Sequence, residues 1–125
     1  MRQGWWPLAL WTGLIVLLVA PWTMYVNHTH WQRVAWIPFS PPIRIRDIAL
    51  NLLLYVPWGY FGARAMRSGR VWIVVALAAV LSLATEASQL YSHGRFPSAT
   101  DLTCNILGAC AGAMYERSRT RSGTM

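Results

Sequence analysis

Apolar residues in this chain gather into long runs, and the polar residues fall between the runs or on single stripes within them. The first run extends from about Pro7 to Val26 and includes Leu14 to Ala20 without a polar side chain. The second covers about Asp47 to Met66, with Pro57 near its middle and Gly59 just after. A third, Val71 to Tyr91, begins purely aliphatic and turns polar at Ser82, Thr85, Glu86, Ser88 and Gln89. The fourth, Asp101 to about Tyr115, is short and rich in small residues. A helix crosses a hydrocarbon core with roughly 20 residues, so the pattern predicts an all-α integral membrane protein with four transmembrane helices. The short fourth span requires protein around it or a thinned bilayer. The freed carbonyl of a kink at Pro57 needs a donor from a neighbouring helix or a hydroxyl side chain. The first run is too long for a signal-peptide core and no small-x-small site follows it, so it reads as a span that is retained.

Composition and charge sharpen this picture. Apolar residues make up 55% of the 125 and charged residues 12%, about half the share usual in soluble domains. The whole chain reads as a single membrane domain, 1–125. All 11 basic residues are arginine, and with four acids the formal net charge is +7. That charge suits nucleic acid in the abstract, but the arginines flank the apolar runs, as topology-setting charges do. Arg2, Arg64, Arg67, Arg70, Arg117, Arg119 and Arg121 fall on the side of the two termini, against Arg33, Arg44, Arg46 and Arg95 on the other. The imbalance predicts both termini in the cytoplasm of a multi-pass inner-membrane protein.

Three of the four acids then fall near the outer face, with Asn51, Gln89, Arg95, Asn105 and the histidines His28, His30 and His93. Asp47 and Asn51 share a helix face, as do Asp101 and Asn105; Ser82, Glu86 and Gln89 form one stripe. Such stripes must face one another or a watery recess, since lipid cannot satisfy them. Asp47, Asn51, Glu86, Gln89, Arg95, Asp101 and Asn105 are therefore the candidate ligand-binding residues. Asp47 and Asp101 also suit helix caps, and Asn51 and Asn105 suit interhelical bonds. Glu86, inside a span, needs a partner, and Arg95 is the natural one.

Residues 47–53 and 101–107 share the pattern Asp-aliphatic-x-x-Asn-aliphatic-Leu. Each follows an outer loop containing proline and arginine, which predicts two parallel-repeated helix hairpins about an axis along the membrane normal. Gly108 and Gly112 form a small-xxx-small ridge suited to close packing or to a homodimer. Cys104 and Cys110, about 9 Å apart along a helix, are beyond disulfide reach. No cofactor is expected, and no zinc-ligand spacing is present.

These strings carry a family resemblance. Ile37-Pro38-Phe39; Asp47-x3-Asn51 running on to Tyr55, Pro57 and Gly59; Ser82-x3-Glu86-x2-Gln89; and Arg95-x2-Ser98-x2-Asp101-x3-Asn105-x2-Gly108-x3-Gly112 resemble the VanZ-like membrane proteins over about 35–115. Tyr55 departs from the phenylalanine usual there. The resemblance implies a bacterial cell-envelope protein, in a family whose named member is linked to low-level resistance to the glycopeptide teicoplanin. The family supplies no established activity.

Three functions compete on these residues. One is a non-catalytic protein whose outer-face cluster binds a polar lipid head group or a lipid-linked wall precursor. Arg44, Arg46 and Arg95 suit a phosphate, the amides suit sugar hydroxyls, and Trp31, Trp36 and Phe39 suit the interface. Another is a membrane-embedded enzyme on the same substrates, with Glu86 as acid/base. The third is an ion or proton carrier, for which a single deep carboxylate is a poor relay.

Overall fold

The structure, a computed structural model, describes residues 5–19, 35–39, 44–66, 70–89 and 98–123. Four α-helices account for nearly all of them: α1 (Trp6–Val19), α2 (Ile45–Met66), α3 (Val71–Gln89) and α4 (Ala99–Gly123). Residues 20–26 and 90–91, expected in the first and third spans, lie outside the described residues. The largest departure is in α4, which continues from Tyr115 to Gly123 instead of ending with its apolar run. Hydropathy stops at a charge, but a helix does not. Arg119 reaches back to Glu116 at 3.1 Å one turn earlier, and cations suit a helix C-terminus.

Helices α2 and α4 share the most extensive packing; α3 lies chiefly on α4, and α1 on α2. Asn51 meets Asp101, and further along Gly108 packs on Tyr55 and Gly112 on Val56, so α2 and α4 run parallel. The glycines make this closeness possible. A Cβ on Gly59 would overlap the Ala109 carbonyl, and one on Gly112 the Val56 carbonyl. The expected small-residue ridge thus faces α2 within the chain.

The core joins Leu8 and Ile15 of α1, Tyr55 and Trp58 of α2, Val74 and Ala78 of α3, and Ala109 and Ala113 of α4. Two tryptophans tie α1 to α2. The Trp58 indole donates to the Thr12 hydroxyl at 2.8 Å, and the Trp11 indole donates to the Leu54 carbonyl at 2.5 Å. Pro57 withholds its donor from the Leu53 carbonyl; the neighbouring helix does supply a donor to this turn, but Trp11 gives it to the next carbonyl along, Leu54, and not to the freed one.

Many large apolar side chains face outward while a set of polar ones is buried beside the apolar core. Leu10, Leu17, Leu53, Val80, Leu83, Leu107 and Met114 are exposed, while Ser82, Thr85, Glu86, Gln89 and Asn105 are buried. Among the described residues, α3 is the one helix both long and apolar enough to cross a membrane, with 19 residues and a mean hydropathy of 1.9; α1 is apolar but shorter. Four helices are present as expected. Length and hydropathy single out α3 alone as a span because α2 and α4 carry charges at their ends and polar or small residues on their packed faces.

Candidate functional site

The polar residues singled out in the sequence converge where α2 and α4 begin and α3 ends. Ser98 is the N-cap of α4: its hydroxyl accepts the Thr100 and Asp101 amides at 3.2 and 3.4 Å. In a capping box, a side chain three residues into the same helix accepts the N-cap amide. Here the acceptor comes from another helix, because Glu86 Oε2 takes the Ser98 N–H at 2.8 Å. Glu86 is 7% exposed, so α3 and α4 are joined through a hydrogen bond to a buried carboxyl group.

A loop segment completes the cap. Ala35 pairs with Ser98 in an isolated parallel bridge, and the Ala99 amide donates to the Ala35 carbonyl at 2.8 Å. Phe39 holds a left-handed backbone (φ 58°), uncommon without glycine. Its amide donates to the Thr100 hydroxyl at 2.7 Å, which anchors that turn. Ile37-Pro38-Phe39 thereby ends up over the start of α4, with Trp36 and Ile37 exposed beside it.

The two Asp-Asn motifs meet once. Asn51 Nδ2 donates to Asp101 Oδ1 at 2.8 Å. The symmetric pairing would join Asn105 to Asp47; instead Asn105 Nδ2 donates to Ser82 Oγ at 2.8 Å. The helix arrangement keeps the parallel relation expected of repeated hairpins, while the polar bonds depart from it. The reason is local: α3 offers a hydroxyl stripe at this end, whereas the described part of α1 has its hydroxyl at Thr12, already bonded to Trp58. Asn105 Oδ1 is buried without a hydrogen-bond partner among the described residues, and the buried Tyr55 hydroxyl lies beside Thr85 and Ser82. Asp47 lies half-buried on the first turn of α2, apart from the Asn51–Asp101 bond. Gln89 is buried at the end of α3. Arg95, His28, His30, His93, Arg33 and Trp31 lie outside the described residues.

The cluster therefore brings together Asn51, Glu86, Asp101 and Asn105, with Gln89 nearby. Sequence reasoning gave Ser98 no role, although Ser98-x-x-Asp101 ahead of an apolar run is a helix-start signature. It also missed Glu116, the fourth acid, which is buried at the far end of α4 and bonds the exposed Arg119. Glu116's hydrogen bond, and then its charge, push the Arg119 pKa further up. Cys104 and Cys110 are free thiols. The described residues contain no group of three or more His, Cys, Asp or Glu placed to hold a metal ion.

Chemically, the arrangement presents two helix N-termini at one end of the bundle, with Arg44 and Arg46 exposed beside them. Its floor is a set of buried amides, hydroxyls and carboxylates. A model of the VanZ/LLP1 family matches residues 5–117, and the chain belongs to that family. No curated protein and no solved structure matches it.

Proposed function

We propose that this VanZ/LLP1 protein is a multi-pass membrane protein of the bacterial cell envelope that binds a polar lipid head group or a lipid-linked wall precursor. In this reading all four helices span, both termini are cytoplasmic, and the polar cluster faces outward. The observation that carries it is the parallel pairing of α2 and α4. Their N-termini emerge together, flanked by exposed Arg44 and Arg46, above the partly buried Asn51–Asp101 and Glu86–Ser98 bonds. Helix N-termini and guanidinium forks both favour phosphate oxygens. Exposed Trp36 and Phe39 suit the head-group level. A wall-precursor ligand also offers a route to altered glycopeptide (teicoplanin) susceptibility, since such drugs act on wall precursors.

Catalysis by Glu86 is the weaker reading, because its carboxylate already serves the Ser98 amide. A homodimer would need a helix face other than the Gly108–Gly112 ridge, which is buried against α2. The test is native mass spectrometry of the protein extracted with its own lipids, comparing wild type with Arg44→Ala/Arg46→Ala and with Arg95→Ala. Wild type should retain a reproducible lipid-linked species that both variants release. If nothing specific co-purifies, or all three forms carry the same lipids, the head-group reading is wrong.

A further inference from the structure

The far ends of α2 and α4, opposite the polar cluster, form a second assembly that the outer-face ligand does not use. Tyr60 is its centre. The guanidinium carbons of Arg64 and Arg119 each lie 5.9 Å from the middle of its ring. Arg64 Nη1 also donates to the Tyr60 hydroxyl at 3.0 Å, and Tyr115 lies against the same ring at 6.1 Å. Buried Glu116 grips Arg119 side-on, Nε to Oε2 at 3.1 Å and Nη2 to Oε1 at 3.4 Å. Two long cationic side chains that ordinarily sample many rotamers are thus held against one aromatic platform.

Beyond it α4 carries Arg117 and Arg121, exposed and one turn apart. Together with Arg64 and Arg119 they make this end of the bundle cationic, which an anionic surface alongside would complement. Guanidinium groups match phosphate oxygens bidentately, whereas a zwitterionic head group brings an ammonium that arginine repels.

We infer that this end of the bundle is a docking surface for anionic phospholipid head groups, with Arg64 and Arg119 holding phosphate beside Tyr60 and Arg117 and Arg121 lying along the leaflet. The inference rests on the proposed membrane placement but not on the outer-face ligand. Each arginine near an anionic membrane surface contributes about fivefold in affinity.

The test reconstitutes the full chain into nanodiscs containing equal phosphatidylglycerol and phosphatidylcholine and counts the retained lipids by native mass spectrometry. Wild type should enrich phosphatidylglycerol. Arg119→Gln should lower the enrichment by about fivefold and Arg64→Gln/Arg119→Gln further. Retention of both lipids in the proportion supplied overturns the inference, as does enrichment that survives the loss of Arg64 and Arg119. A photoactivatable phosphatidylglycerol on wild type gives a reading independent of variant folding. Labels should fall in 60–66 and 115–121, and labelling confined to other segments refutes the site. Alkaline carbonate extraction separates the two ideas. A chain released from membranes defeats the membrane reading itself, and a chain retained without lipid preference defeats only the docking surface.

Discussion

Replacing Gly59 or Gly112 by alanine should be among the most damaging small changes available in this protein. A Cβ on Gly59 would stand 2.7 Å from the Ala109 Cα, and ordinary contact begins at 3.4 Å, so α2 and α4 must part there by at least 0.7 Å. At Gly112 the same Cβ would stand 2.9 Å from the Tyr60 amide nitrogen. In both cases the obstacle is backbone, which has no rotamer to yield. Overpacking of this kind costs about 1–3 kcal/mol, and the upper end applies because separating the helices also strains the Asn51–Asp101 bond. Gly108→Ala is the graded control: its Cβ meets the Tyr55 Cβ at 3.3 Å and the Val56 amide at 3.4 Å, a fit that needs only tenths of an ångström. Gly13→Ala is the opposite control, with nothing within 4 Å, and should stabilise α1 by about 0.5–1 kcal/mol through helix propensity. Thermal unfolding in detergent, followed by loss of monodispersity on size-exclusion chromatography, ranks the four. The expected order of midpoints is Gly13→Ala highest, Gly108→Ala next, and Gly59→Ala with Gly112→Ala lowest. Midpoints for Gly59→Ala and Gly112→Ala equal to wild type would refute the close-packed α2–α4 interface.

Two further substitutions probe the polar cluster. A double-mutant cycle on Asn51→Ala and Asp101→Ala should return a coupling of about 0.6 kcal/mol, typical of hydrogen bonds between membrane helices; zero coupling would mean that Asn51 and Asp101 do not bond. At Glu86, glutamine still offers an oxygen to the Ser98 amide whereas leucine does not. Glu86→Leu should therefore lose about 1–3 kcal/mol and Glu86→Gln markedly less in the same unfolding assay. Equal losses would show that the negative charge matters and the hydrogen bond does not.

The parts legible in the sequence were those governed by periodicity. The apolar runs located all four helices, the four-residue spacings placed Asn51, Glu86, Asp101 and Asn105 at one end, and the matched Asp-Asn strings anticipated a parallel α2 and α4. The partners were not legible, because they depend on how helices rotate against one another. Asn105 turns to Ser82 on α3 instead of to Asp47 on α2, a choice decided by the hydroxyl stripe of α3. The extension of α4 past Tyr115 escaped notice for a different reason: hydropathy registers where the apolar run ends, while the Glu116–Arg119 pair lies on helix that continues beyond it. Ser98 was visible as a motif position, but its amide partner, twelve residues earlier on another helix, could not be read from local spacing.

The glycine-lined meeting of α2 and α4 also constrains the order in which the protein can be built. Ala109 and Gly112, which close over Gly59 and Val56, are made some fifty residues later. As the chain leaves the ribosome, α1 can already pin α2 through Trp11 and Trp58, but the groove along Gly59 stays open until α4 arrives. The last helix is therefore the keystone. A chain arrested before Ala109 carries an open seam along Gly59, and it is the form that cellular quality control would meet and remove.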